Sequence, residues 1–205
     1  MKFFMTPGSC STGIHILLEE LELIFEVQIV NLLAGDQNAP DYLAINPKAS
    51  IPVLLRDDGS ALTEFQAIAY WLARSYPKAQ LLPGEANADS RAIELMDYAV
   101  GTIHGQGFAR IFTTDKFTPN PDDYEAVKAA GRNLVEKGFA ILNQNLPGQE
   151  YALGGFSIAD AALFYIEFWA DKLAITLPDN CRKHYQLMLT RPVVRRVLME
   201  EGYRI

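Results

Sequence analysis

Cys10 is the residue whose type and position carry the most chemistry. It follows a β-prone run, Lys2–Met5, and the turn cluster Thr6-Pro7-Gly8-Ser9, and it precedes a helical pattern. Unpaired N–H groups and the helix dipole make a helix start favourable for negative charge. A cysteine there can have a lowered pKa and act as a thiolate, or can face another thiol's sulfur. Ser9 and Ser11 add hydroxyl donors beside it. The plain alternative is a small buried cysteine that happens to precede a helix. Ile51-Pro52 is a second feature. A proline at a strand's start cannot donate to the sheet, so it either marks an edge strand or leaves nearby backbone open to a bound molecule. Glu64-Phe65 is a third, at a strand-to-helix junction. An acid there is first of all a favourable helix cap. The same geometry lets the Phe65 and Gln66 amides bind a carboxylate while Glu64 binds an ammonium, which together would receive an amino-acid head group.

The other candidates carry less. His104 lies in Thr102-Ile103-His104-Gly105-Gln106-Gly107, where two interior helix glycines cost about 1 kcal/mol each relative to alanine and imply a need for space. A satisfied interface histidine is the preferred reading. The glycine spacing is no dinucleotide fingerprint, since no strand precedes it. Cys181 is expected to pack or to decorate the surface, and His15 and His184 to be partly exposed. No cysteine and histidine spacing indicates a metal, and no phosphate loop or Gly-x-Ser-x-Gly elbow is present.

The first 76 residues contain the signals for strands. Ser11 is the expected cap of a helix carrying Ile14, Leu17, Leu18 and Leu21 at helical spacing. Phe25, Val27 and Ile29 alternate with Glu26 and Gln28, a strand with one face buried. Strand–helix–strand requires a parallel pair with a right-handed crossover. A short helix around Asp41–Ala44 comes next. Then come a strand at Ile51–Leu55, an Asp58-Gly59 turn, a return strand from Ala61, and a helix with Phe65, Ile68 and Leu72 on one face that Pro77 ends. Residues 77–88 read as a linker. Beyond them, residues 89–205 show only helices. One is capped by Asn87 or Asp89 and runs through Met96 and Ile103. A second opens at Asn120-Pro121-Asp122-Asp123 and runs to about Asn145, where Pro147-Gly148 stops it. A largely apolar third is capped by Ser157-Ile158-Ala159-Asp160. Two shorter helices close the chain, the last opening at Pro192 and ending near Gly202. The fold expected is an α/β domain followed by an all-α domain.

Composition narrows the function. Half the 205 residues are hydrophobic (49%), enough for a real core and too many for a disordered chain. Lys and Arg total 18 against 25 Asp and Glu, a net charge of −7 with no basic block, so no nucleic acid or membrane surface is expected as a partner. Two cysteines cannot build a disulfide framework and indicate a reducing compartment. Phe3-Phe4-Met5 is far short of a secretory apolar region, so a cytoplasmic location is expected.

Taken in order, these stretches resemble the cytosolic glutathione S-transferase family, in particular its bacterial beta class, over nearly the whole chain. Met1–Phe4 through Pro7-Gly8-Ser9-Cys10-Ser11 is similar to the beta-class opening and places Cys10 on its active-site cysteine. Asp41–Lys48 followed by Ile51-Pro52-Val53-Leu54 resembles the run into the family's cis-proline. Leu62-Thr63-Glu64 resembles the head-group motif, and Gly155–Asp160 the cap of the family's central helix.

The resemblance implies a thioredoxin-like domain at 1–76, a helical domain at 89–205 lining the acceptor-substrate site, and a homodimer. It implies glutathione as co-substrate, no metal, and small hydrophobic electrophiles as acceptors, the activity being conjugation in detoxification. On this pattern Ser9, Ile51, cis-Pro52, Glu64 and Phe65 hold glutathione. Cys10, Ser11 and His104 face its sulfur, and Phe108 and Phe112 wall the acceptor. Cys10 adds thiol–disulfide exchange as a second activity. A non-catalytic glutathione or ligand-binding protein is the alternative on the same fold. Three departures bear on affinity. Phe65 stands where many members have serine, the loop Leu33-Ala34-Gly35-Asp36 lacks a lysine, and Gly105 replaces one after the histidine.

Overall fold

The computed structural model of the chain describes residues 1–147 and 150–204. The chain forms two compact units, Met1–Leu82 with Leu189–Ile205, and Pro83–Met188. The first unit is a four-stranded sheet in the order β2-β1-β3-β4. Its strands are β1 (Lys2–Met5), β2 (Glu26–Ile29), β3 (Val53–Leu55) and β4 (Ala61–Thr63). Among them run helices α1 (Ser11–Glu20), α2 (Pro40–Ile45) and α3 (Phe65–Ser75). β1 pairs parallel with β2, Phe3 opposite Val27, and antiparallel with β3, which pairs antiparallel with β4. This is the thioredoxin-like order expected. Phe4, Val30, Tyr42 and Val53 form one core layer, while Ile14, Leu17, Leu18, Phe65, Ile68 and Leu72 are buried on the inner faces of α1 and α3.

Two local expectations change. α1 begins at Ser11 with Cys10 as its cap residue, so the serine is the first helical residue. β2 has no buried face: Val27 is 42% and Ile29 48% exposed. β2 is an edge strand, and its apolar side chains line an open cleft instead of meeting a helix.

The second unit is helical: α4 (Ala86–Asp97), a π-helical segment (Tyr98–Phe108), α5 (Ala109–Phe112), α6 (Tyr124–Asn145), α7 (Ile158–Lys172) and α8 (Asp179–Thr190). α4 is capped at Glu85 and neither expected residue caps it; Asp89 instead accepts from the Gly84 amide at 2.8 Å. Asn120 accepts from the Asp122 amide, capping a 3-10 turn that leads into α6. Gly148 lies outside the described residues. The expected linker contains the boundary between the units. However, residues from Leu189, placed by sequence in the helical domain, pack with the first unit. The reason is α9 (Pro192–Glu200), which buries Val194, Val197 and Leu198 and lies along α1, with Arg191 bonded to Glu20 at 2.6 Å.

Close packing of α6 against the π-helical segment and α5 accounts for one glycine of that segment and two of α6. A Cβ on Gly107 would come within 2.7 Å of Val135, one on Gly131 within 2.8 Å of Arg110 Cβ, and one on Gly138 within 2.6 Å of Ile103. The space implied by Gly107 is thus taken by α6. Gly105 faces only its own helix, near the Val100 carbonyl.

α7 carries the expected capping box. Asp160 accepts from the Ser157 amide and hydroxyl, both at 2.8 Å, and from the Ala152 amide at 2.7 Å. His184, expected to be partly exposed, is instead 1% exposed. It bridges Glu167 (2.8 Å) and Asp160 (3.0 Å). Burial alone would push its pKa down, but the Glu167 and Asp160 carboxylates dominate and take it up to about 10. Asp160 keeps three other donors. Glu167 is fully buried and its Oε1 accepts no hydrogen bond among the described residues, so its compensation comes from the imidazolium. Cys181 packs, fully buried, against the Phe139 carbonyl.

This pair yields a prediction. His184→Leu strands the Glu167 carboxylate and costs about 3–5 kcal/mol, whereas His184→Leu with Glu167→Leu recovers most of the loss. Because folding raises the histidine's pKa from 6.5, its contribution is complete below that pH and fades as pH rises toward about 10. Urea unfolding midpoints across that range should decline in the wild type, with this component of the slope absent from the double variant.

Candidate functional site

The turn before α1 sets the surroundings of Cys10. Ser9 Oγ donates to the Thr6 carbonyl at 2.6 Å, Ser11 Oγ accepts from the Thr6 amide at 3.1 Å, and the two hydroxyls bond each other. Ser11 is fully buried. The two hydroxyls expected beside Cys10 thus bond within the turn. The Ser11 amide itself donates to Ser9 Oγ at 3.1 Å.

Cys10 is 7% exposed, and its Sγ lies 3.8 Å from the Ile51 carbonyl oxygen. Burial pushes its thiol up to about 12; the N–H groups of Cys10 and Ser11 pull the other way, and the Glu64 carboxylate adds to the rise. Cys10 is thus a neutral thiol near pH 7, and the lowered pKa that its position suggested is not realised. The helix start does offer N–H groups to sulfur, but desolvation of the buried thiol outweighs them.

The Ile51–Pro52 peptide is cis. The residue before it is pinned: Tyr42 OH and Asn46 Nδ2 both donate to the Ser50 carbonyl, at 2.6 and 2.8 Å. Glu64 is the cap residue of α3 with φ +72°, a left-handed conformation uncommon outside glycine, and such outliers concentrate where a side chain is held for a purpose. Its carboxylate meets Lys48 Nζ at 2.7 Å, which also donates to Thr63 Oγ1 at 2.9 Å. Phe65 is buried under the start of α3. The first unit thus gathers Ser9, Cys10, Ser11, Ile51, Pro52, Glu64 and Phe65. Lys48 was missed, although Pro47-Lys48 precedes the proline turn by four residues; its pairing with Glu64 depends on the β3–β4 hairpin.

In the second unit, His104 sits on the π-helical segment against α7. Its Nδ1 lies 3.2 Å from Tyr165 OH, and its ring meets Trp169 edge-on at 4.8 Å. Burial drives its pKa down to about 4. It is therefore uncharged at neutral pH and adds no positive potential. Phe108 and Phe112 stack at 5.9 Å, and both meet Trp169, at 5.3 and 5.0 Å. Phe108 is buried, and Phe112 presents half its surface. Tyr165 and Trp169 escaped the sequence reading because an apolar central helix reads as core on every face.

A family model described as glutathione S-transferase, N-terminal domain, matches residues 8–75. The chain is 36% identical to glutathione S-transferase GstA of Escherichia coli O157:H7 over the full length of both chains. Among solved structures, a glutathione transferase homolog from Sulfitobacter with bound glutathione has a TM-score of 0.90 at 27% identity, covering 98% of each chain. The bacterial beta class glutathione S-transferase of Sphingomonas chungbukensis has a TM-score of 0.82 at 30% identity, covering 98% of this chain and 99% of its own. With full-length identity above a third and the same fold throughout, the chain belongs to the glutathione S-transferase family.

Proposed function

We propose that this transferase binds glutathione on its first unit and conjugates the tripeptide's thiolate to small hydrophobic electrophiles. The observation that carries the reading is the juxtaposition of the α1 start, the Ile51 carbonyl and Glu64 around Cys10 Sγ. The backbone beside cis-Pro52 pairs with the tripeptide's cysteinyl residue. Glu64 receives the γ-glutamyl ammonium and the α3 start its carboxylate. Lys48, held between Glu64 and Thr63, supplies a cation that offsets the lysines absent at Gly35 and Gly105.

Conjugation needs ionised sulfur. A free cysteine-type thiol titrates near 8.5, so lowering it by about two units makes the thiolate dominant at neutral pH. The N–H groups of Cys10 and Ser11, with the dipole of α1, stabilise that anion. The thiolate attacks the electrophilic carbon, a C–S bond forms, and the leaving group departs. Cys10, protonated, stands beside this sulfur without competing as a nucleophile. That charge state favours conjugation over thiol–disulfide exchange as the main activity. His104, uncharged, and the Phe108, Phe112 and Trp169 rings suit an aromatic acceptor. We further propose a cytoplasmic homodimer acting in detoxification. No helix among the described residues is long and apolar enough to cross a membrane, in keeping with this.

Two tests bear on this reading. Glu64→Ala should raise the KM for glutathione by about tenfold, the worth of one charged hydrogen bond at ~1.5 kcal/mol, with kcat for an aromatic halide little changed. An unchanged KM would place the head group elsewhere. Cys10→Ala should abolish the mixed disulfide with glutathione, read by mass spectrometry, while sparing most of the conjugation. In the free wild-type enzyme, alkylation of Cys10 by iodoacetamide should be slow at pH 7 and keep accelerating toward pH 12; a plateau below pH 8 would mean an ionised thiol.

A further inference from the structure

α1 carries a second chemical cluster on the side facing β2 and α9. His15 and Glu19 are four residues apart, hence on one helix face, and Glu200 comes from the end of α9. One ligand atom from each of the three lies within 4.8 Å of the others. His15 is buried, contrary to its expected exposure, and its two nitrogens have different neighbours. Nδ1 is 2.9 Å from Glu201 Oε1; Nε2 is 3.5 Å from Glu200 Oε2. The Glu201 side chain is 1% exposed and is fixed by two further donors on Oε2, the Gly8 amide and the Thr12 hydroxyl, both at 2.7 Å. A buried carboxylate holding one imidazole nitrogen while the other faces further ligands is the arrangement that orients metal-binding histidines.

We propose that His15, Glu19 and Glu200 form a binding site for one divalent transition-metal ion of the zinc type. A metal on Nε2 requires the proton on Nδ1, where Glu201 accepts it. Zinc bonds of about 2.0–2.2 Å in tetrahedral array put neighbouring ligand atoms roughly 3.4 Å apart, which the His15–Glu200 separation already matches. Imidazole with carboxylates suits zinc, cobalt or manganese in preference to a soft monovalent ion. Arg196 also binds Glu19, through Oε2. Glu200 and Glu201 both lie against the imidazole and Glu19 joins them in the cluster, so a dication would be surrounded by negative charge. The three ligands line a cleft of about 360 Å³ together with Phe25, Val27 and Ile29, Phe25 meeting the His15 ring edge-on at 5.9 Å.

The test uses the full-length protein after dialysis against a chelator. Zinc is titrated by calorimetry, and cobalt(II) by visible absorption. The expected result is one equivalent per chain, with cobalt bands of nitrogen and oxygen ligation. Glu200→Gln and Glu19→Gln, both at sites able to accept an amide, should each weaken binding at least tenfold while far-UV circular dichroism stays unchanged. Glu201→Gln should weaken it by roughly 10–100-fold through the orientation of His15. Glu94→Gln on α4 should leave it unaltered. The proposal is overturned by the lack of a saturable 1:1 heat, as for a plain ion-pair cluster, or by affinity that survives both Glu200→Gln and Glu19→Gln. Metal affinity alone decides the matter, and glutathione conjugation is assayed separately.

Discussion

The Glu201 carboxylate holds the functional end of the first unit together. It comes from just past α9, near the chain's end, and accepts from Gly8, Thr12 and His15. Those three residues bracket Cys10. Gly8 in turn has φ +70°, and a Cβ there would come within 1.8 Å of Tyr203 OH, so the tail and the turn are fitted to each other. A buried carboxylate is costly unless its lone pairs are used, and here each oxygen has a donor. The orientation of the α1 start, and with it of the N–H groups that face sulfur, is thereby tied to the last residues of the sequence.

Desolvation then sets the protonation states. It raises the Cys10 thiol and lowers His104, leaving both uncharged at neutral pH. On the proposed function, the contribution of these two residues to sulfur chemistry is dipolar and steric, with preorganised backbone N–H groups and not a charged Cys10 or His104 beside the anion. The buried His184 is the opposite case. There two carboxylates outweigh burial, and the imidazole is held as a cation far from any opening.

Local signals made much of this legible. Cys10 behind Pro7-Gly8, Ile51-Pro52, the Asp58-Gly59 turn and the Ser157–Asp160 box are each encoded within a few residues, and the structure builds the expected local elements. What stayed hidden depends on distant chain. The open face of β2 reflects its place at the sheet edge, which alternation alone does not reveal. Lys48 reaches Glu64 only across the hairpin. His15 and His184 look like ordinary helix residues until α9 and α7 bring carboxylates to them. The His15 and Glu19 pair did carry a signal, four-residue spacing on a helix, but its third member is 181 residues further on. Charge state was the least legible property, because the dipole that favours a thiolate and the burial that opposes it differ only in three dimensions.

The glycine seam between α6 and the π-helical segment bears on how this enzyme could diversify. Gly107 and Gly131 let the two backbones approach closely, Gly131 also lying against Arg110 and Ile111, and Gly138 makes room for the Ile103 side chain. A methyl group at Gly131 would meet the Gly107 carbonyl and Arg110 Cβ at 2.8 Å, so α6 or its neighbours would have to shift with Phe108 and Phe112 unchanged in identity. If those rings wall the acceptor, as proposed, its preference can drift through changes made on the far side of α6.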